Sequence, residues 1–166
     1  MKYVAFLRAI NVGGHVVKMD QLRKLFEAMG FSNVETVIAS GNVIFDARNP
    51  SESKIESALQ KALGYEVRTF LRTPAELAKV AETKLGSDAA VLYVGFLAEA
   101  PKRDLKSLET ATDKFQIIGR ELYWVLSTKF SDSKVSGALL EKTLGQKTTL
   151  RNITTVRRIA AKYEPK

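Results

Sequence analysis

Two periods of apolar residues alternate along this chain. Residues 3–7 (YVAFL) are apolar throughout and rich in aromatic and β-branched types, as in a short buried strand. Met19, Leu22, Leu25, Phe26 and Met29 then recur at helical spacing, and Gly30 supplies a C-cap. Residues 34–39 and 42–45 read as strands around Ser40-Gly41, a hairpin turn. A helix follows Pro50-Ser51, with Ser53 and Glu56 placed as a capping box and Ile55, Leu59, Ala62 and Leu63 as its apolar stripe. Residues 65–71 form the last strand of this first half.

Thr73-Pro74-Ala75-Glu76 then combines an N-cap, a proline at the first helical position and a glutamate three residues past the cap. The helix it opens runs to about Lys84 and links two similar halves. Residues 90–97 contain YVGFL, the counterpart of YVAFL. A helix is predicted after Pro101 with Leu105 and Leu108 inside it. Strands 114–118 and 121–126 flank Gly119-Arg120, and a helix is expected from Ser131 to Leu144, closed by Gly145. Residues 148–163 read as helical where a fourth strand would fall.

Each half thus follows the order βαββαβ, the split-βαβ plait. The expected fold is α+β: two tandem ferredoxin-like domains, 1–72 and 73–166, the second with a C-terminal basic helix in place of its last strand. A single mixed sheet is the alternative. Taking the first and third strands of a plait as parallel puts the end of the first strand and the start of the third at opposite ends of their sheet.

Composition narrows the chemistry. The chain has 166 residues, no cysteine and one histidine, which excludes disulfides, thiolate metal sites, thiol nucleophiles and any site needing two histidines. No metal site or cofactor is expected. The longest apolar run, residues 89–98, is about half the ~20 residues of a membrane-spanning helix, and the N-terminus lacks a signal-peptide pattern. No membrane partner is expected, and a cytoplasmic place is the simplest reading. The net charge is +8. From Lys142 onward there are seven basic residues and one acidic one, so the surplus is concentrated at the C-terminal end. A polyanionic partner suits this balance.

Three places carry candidate binding residues. Asn11, Gly13, Gly14 and His15 lie between a strand and a helix start, where glycine backbone N–H groups and the helix dipole favour an anion. Arg8 and Lys18 flank them. The other reading is a tight turn with His15 as a loop residue. Ser40 and Asn42 offer a hydroxyl and an amide, or simply the conformations of a hairpin. Near the C-terminus Arg151, Thr155, Arg158 and Lys162 are spaced 4, 3, 4 on one face of the expected helix, a row suited to phosphates. Asn152 adjoins it. Tyr93, in a strand resembling the first strand of RNA-recognition plaits, could stack a base, but Tyr123 and Trp124 are adjacent and so on opposite faces.

YVAFLRAINVGGHVVKM, VIASGNVIF and TTLRNITTV together resemble the bacterial family called domain of unknown function 1697. That family opens on L-R-G-I-N-V-G-G, has an S-G-N hairpin and closes on T-x-R-N-W-N-T-V. Ala9 stands here for its glycine, Ile153 for its tryptophan and Thr154 for its second asparagine. The resemblance implies two plait-like halves and no established activity. Ser133-Lys134 also resembles a family position, although serine before a helix is first of all a cap. Three functional classes follow: a binding protein for a phosphate-bearing small molecule or nucleic acid, an enzyme on a small anionic substrate, or a structural or protein-interaction module. The first fits the residues best.

Overall fold

The computed structural model describes residues 1–8, 10, 16–38, 41–86 and 90–165. It shows two four-stranded antiparallel sheets and five α-helices. Two compact units emerge, Met1–Val80 with Arg158–Lys166, and Ala81–Arg157.

In the first unit the elements are β1 (Lys2–Leu7), α1 (Met19–Ala28), β2 (Ser32–Thr36), β3 (Asn42–Asp46), α2 (Glu52–Leu63) and β4 (Thr69–Arg72). The sheet order is β2-β3-β1-β4. Alternation along the strands puts Ala5, Leu7, Val43, Phe45 and Leu71 in one core with Leu22 and Phe26 of α1 and Ile55 and Leu59 of α2. Phe31 stacks on Phe45 with ring centroids 4.5 Å apart. Ser51, not Ser53, caps α2: its hydroxyl accepts from the Lys54 N–H (3.4 Å), while the Ser53 hydroxyl turns to Ser51. Gly64 ends α2 in the left-handed conformation, φ +84°.

The sheet corrects one expectation. β1 and β3 are antiparallel, with Phe6 opposite Asn42 and Lys2 opposite Asp46. The end of the first strand and the start of the third therefore share one end of the sheet.

In the second unit β5 (Val91–Phe96), β6 (Asp113–Ile118), β7 (Glu121–Leu126) and β8 (Thr149–Asn152) form a sheet of order β6-β7-β5-β8. Leu97, Leu122, Trp124 and Leu126 join Leu105, Val135 and the α4 (Gly137–Leu144) residues Leu140 and Leu144 in its core. Leu7, Phe45, Phe96 and Trp124 are all at most 2% exposed, as their strand positions require.

Three predicted helices come out differently. After Pro101 only a 3-10 turn forms, Lys106–Leu108, because the Asp104 carboxylate accepts from the Lys106 N–H (3.2 Å) and Glu109 is extended. The helix expected over 131–144 is broken at Ser133, whose backbone is extended, and restarts at the Ser136 cap. The C-terminal stretch is not helical from 148: β8 supplies the fourth strand, pairing with β5 so that Val94 faces Arg151. Helix α5 (Ile153–Lys162) begins after it, with the Asn152 side chain accepting from the Thr154 N–H (3.0 Å).

The compact units also divide elsewhere than at 72/73. Helix α3 (Pro74–Glu82), opened by a reciprocal capping box between Thr73 and Glu76, runs past Val80. The C-terminal residues return to the first unit. There the Tyr163 hydroxyl donates to Glu35 of β2, and Lys2 Nζ lies 5.6 Å from the Tyr163 ring centroid. Among the described residues no helix is long and apolar enough to cross a membrane.

Candidate functional site

The antiparallel register gathers two of the sequence phrases at one end of the first sheet. There the Leu7 N–H donates to the Gly41 carbonyl (2.8 Å), and the Arg8 N–H donates to the Arg68 carbonyl (2.9 Å). Arg8 itself is half-buried. Asn42 is 2% exposed, and its amide donates to the carbonyls of Val37 (3.1 Å) and Ile38 (2.9 Å). This bracing coincides with backbone strain. Ile38 has φ +51°, a conformation that a β-branched residue adopts only when its surroundings impose it. Gly41, three residues further on, has φ +91°, a conformation open to it because it has no Cβ.

Asn11, Gly13, Gly14, His15 and Ser40 lie outside the described residues. Val16, directly after 11–15, is exposed, but Ile10 before the stretch and Val17 beyond it are seated in the core. Ile10 is buried and its carbonyl accepts from the Tyr65 hydroxyl (2.7 Å), and Val17 is buried in the same core. Burial pushes the Tyr65 phenol above its ordinary range. Lys18 is exposed immediately before α1, and its carbonyl accepts from the Leu22 N–H (3.0 Å).

The basic row predicted near the C-terminus is not one face. Arg151 sits on strand β8, one residue short of the α5 cap, and its guanidinium donates to the Thr149 hydroxyl (2.7 Å) and the Leu150 carbonyl (3.0 Å). Burial pulls its pKa down to about 10. Thr155, Arg158 and Lys162 remain on α5, the last two exposed. Asn152 acts as the helix cap.

The sequence reading missed two polar groups. Arg157 donates to the carbonyls of Ala81 (3.1 Å) and Thr83 (2.9 Å), a cationic cap on the end of α3. It also borders a hollow of about 460 Å³ in the second unit, together with Lys84, Asn152 and Thr154. No acidic residue lines that hollow among the described residues.

The second group surrounds Asp113, which is 1% exposed. One carboxylate oxygen accepts from Trp124 Nε1 (2.9 Å) and Ser133 Oγ (2.7 Å), the other from Thr110 Oγ1 (2.7 Å) and Thr112 Oγ1 (3.0 Å). Burial alone would push its pKa up, but these hydrogen bonds outweigh it and the carboxyl sits below its ordinary value. Ser133 is thereby a partner of Asp113 rather than a helix cap. The bonds of Arg157 to Ala81 and Thr83 and of Asp113 to Trp124 and Ser133 are long-range and invisible in local spacing, whereas Thr110 and Thr112 are local partners. Trp124 also ends the base-stacking expectation: Tyr93 packs on it and on Phe130, with centroids 6.0 and 5.3 Å apart, while Tyr123 and Trp124 are both buried.

The family model described as "Protein of unknown function (DUF1697)" matches residues 1–123. The chain belongs to this family. The match takes in both phrases at the end of the first sheet and stops before TTLRNITTV. Among solved structures, the conserved bacterial protein SP0830 from Streptococcus pneumoniae is 23% identical, with 98% of each chain covered and a TM-score of 0.73. At that identity the likeness shows the fold alone. No curated protein matches the chain. The DUF1697 assignment thus fixes kinship without an activity, and among the described residues no three His, Cys, Asp or Glu side chains gather as metal ligands.

Proposed function

We propose that this DUF1697 protein is a binding protein for a phosphate-bearing small molecule, held at the end of the first sheet with Arg8 as its anchoring cation. The observation that carries this reading is the β1–β3 register, which sets Phe6 opposite Asn42 and the Leu7 N–H on the Gly41 carbonyl, so that Arg8 follows directly at the same end of the sheet. Strain at Ile38, braced by the buried Asn42, supports it, because strained backbone persists where the surroundings over-determine it and clusters at ligand sites. Each unit is read as a ferredoxin-like plait, supported by the order β2-β3-β1-β4 and its repeat β6-β7-β5-β8. The two plaits would be the domains of the chain.

Calorimetric titration of nucleoside triphosphates and inorganic pyrophosphate into the wild-type chain and Arg8→Ala tests the reading. Micromolar binding that weakens at least about tenfold in Arg8→Ala is expected, since charge-assisted hydrogen bonds are worth roughly 1.5–3 kcal/mol. Absence of binding, or binding indifferent to Arg8, overturns it.

A second place for the same ligand is favoured by the hollow near Lys84 and Arg157, which has no acidic lining among the described residues. Lys84→Ala distinguishes the two. The nucleic-acid version now rests on Arg158 and Lys162 alone, so duplex binding through them would show a log-salt slope of roughly −1.8.

A further inference from the structure

The register that sets Arg8 at the end of the first sheet also gives it a neighbour on its other side. β4 pairs antiparallel with β1, with Leu7 opposite Thr69. The Arg8 N–H on the Arg68 carbonyl continues that register, so Arg68 stands directly opposite Arg8. Opposite residues of an antiparallel pair lie on one face of the sheet with Cβ atoms about 5 Å apart, and like charges placed this way destabilise it. Two guanidiniums in that relation suit an anion that both can grip. Each planar fork engages one phosphoryl group through two parallel N–H···O bonds, so two forks match two such groups.

Unsatisfied polar atoms mark the same spot. Arg68 Nε and Thr69 Oγ1 are buried and have no hydrogen-bond partner among the described residues, and Thr69 as a whole is 2% exposed. Buried groups of this kind cost free energy until something bonds to them. The charged partner of Arg68 is Glu56 of α2. Its Oε2 lies 3.3 Å from Arg68 Nε without hydrogen-bond geometry, and accepts instead from the Thr69 N–H (2.9 Å). Glu56 therefore neutralises Arg68 without satisfying it. The Arg68 side chain keeps 38% of its surface exposed, so a ligand arriving from solvent can reach it.

We infer, resting on the Arg8 anchor proposed above, that Arg68 is the second cation of that site, and that the two arginines select a ligand with two adjacent phosphoryl groups over a single phosphate. Glu56 holds the Arg68 guanidinium in the absence of ligand, and the second phosphoryl group takes over its charge. Arg68 is thus the residue that sets specificity, while Arg8 supplies affinity for any phosphate.

Calorimetric titration of inorganic pyrophosphate and of inorganic phosphate into the full chain separates the two arginines. Wild type should bind pyrophosphate at least about tenfold more tightly than phosphate, and Arg68→Ala should bring the two within about twofold by weakening pyrophosphate alone. An Arg68 that only pairs with Glu56 would leave that ratio unmoved. Glu56→Gln keeps an acceptor for the Thr69 N–H and removes the competing charge, so pyrophosphate should bind about threefold more tightly, the scale of a part-exposed ion pair. A nucleoside diphosphate titrated alongside separates a free from a nucleoside-borne pyrophosphoryl group. Pyrophosphate binding that needs Arg8 but ignores Arg68→Ala overturns the inference and leaves the Arg8 site standing. Binding indifferent to Arg8→Ala, or no binding at all, removes both. Should Arg68→Ala fail to fold, Glu56→Gln decides, and unchanged or weaker pyrophosphate binding in that variant overturns the inference.

Discussion

The two units solve one architectural problem with different materials. Both hang their sheets on the same strand, YVAFL in one and YVGFL in the other, and both carry a leucine–arginine pair in their last strand. Arg72 faces Val4 and Arg151 faces Val94, and each guanidinium donates to the carbonyl of the residue before it. The units part between their first and second strands. There the first has helix α1, whose Leu22 and Phe26 fill the core, and the second has only a 3-10 turn. Leu105 and Val135 supply part of the missing apolar surface, and the buried Asp113 ties the surrounding segments together through four hydrogen bonds. A helix is thus replaceable by irregular chain when a polar knot fixes what packing alone would leave loose.

Phe26→Ala should break the first arrangement most severely. It opens a cavity under α1 and should cost about 4 kcal/mol in urea unfolding followed by circular dichroism. A loss under about 1 kcal/mol would mean that α1 is not what holds this core.

Asp113→Ala attacks the second arrangement and should cost about 3 kcal/mol, because Trp124, Ser133, Thr110 and Thr112 all lose an acceptor. Trp124 is the only tryptophan, so its fluorescence reports this unit. The pH dependence has a definite sign. The folded carboxyl lies below its unfolded value of ~3.9, so its contribution is complete above that pH and fades as pH falls through the folded pKa. The stability gap between wild type and Asp113→Asn should therefore narrow in acid, and a gap constant from pH 7 to pH 2 would contradict the role given to the knot.

Gly95→Ala sharpens the comparison at a single carbon. Its counterpart Ala5 packs without trouble, but a Cβ at Gly95 would lie 2.8 Å from Thr148 Oγ1 and 3.0 Å from Leu122. The hydroxyl would be pushed off the Phe96 carbonyl it now bonds at 2.8 Å, at a cost of about 1.5 kcal/mol. Thermal unfolding at equal or higher temperature than wild type would show that the strand yields. Asn152→Ala should have the smallest effect, about 1 kcal/mol in the same assay, by removing the α5 cap.

Strands and caps were legible because they are local. The two YV-x-FL strands, the Thr73–Glu76 box and the Gly145 cap all follow from neighbouring residues. Two misreadings were local, the Ser53 cap and the helix after Pro101, but others arose where a distant partner overrode the local pattern. Ser133 sits like a cap but is held by Asp113, and the 4, 3, 4 spacing from Arg151 imitates a helix although β5 draws 149–152 into a strand. The candidate residues Arg8 and Asn42 could be picked out one by one, but whether they share an end of the sheet depended on strand direction. Only the antiparallel β1–β3 pairing brings Arg8 and Asn42 to one end.

That grouping is the central claim, and backbone chemical-shift mapping during titration with inorganic pyrophosphate tests it most directly. The account predicts saturable shifts at the amides of Leu7, Arg8, Gly41 and Asn42, with those of α4 and β6 unmoved. Saturable shifts confined to Lys84, Asn152 and Thr154, or no saturable shifts at all, would contradict it.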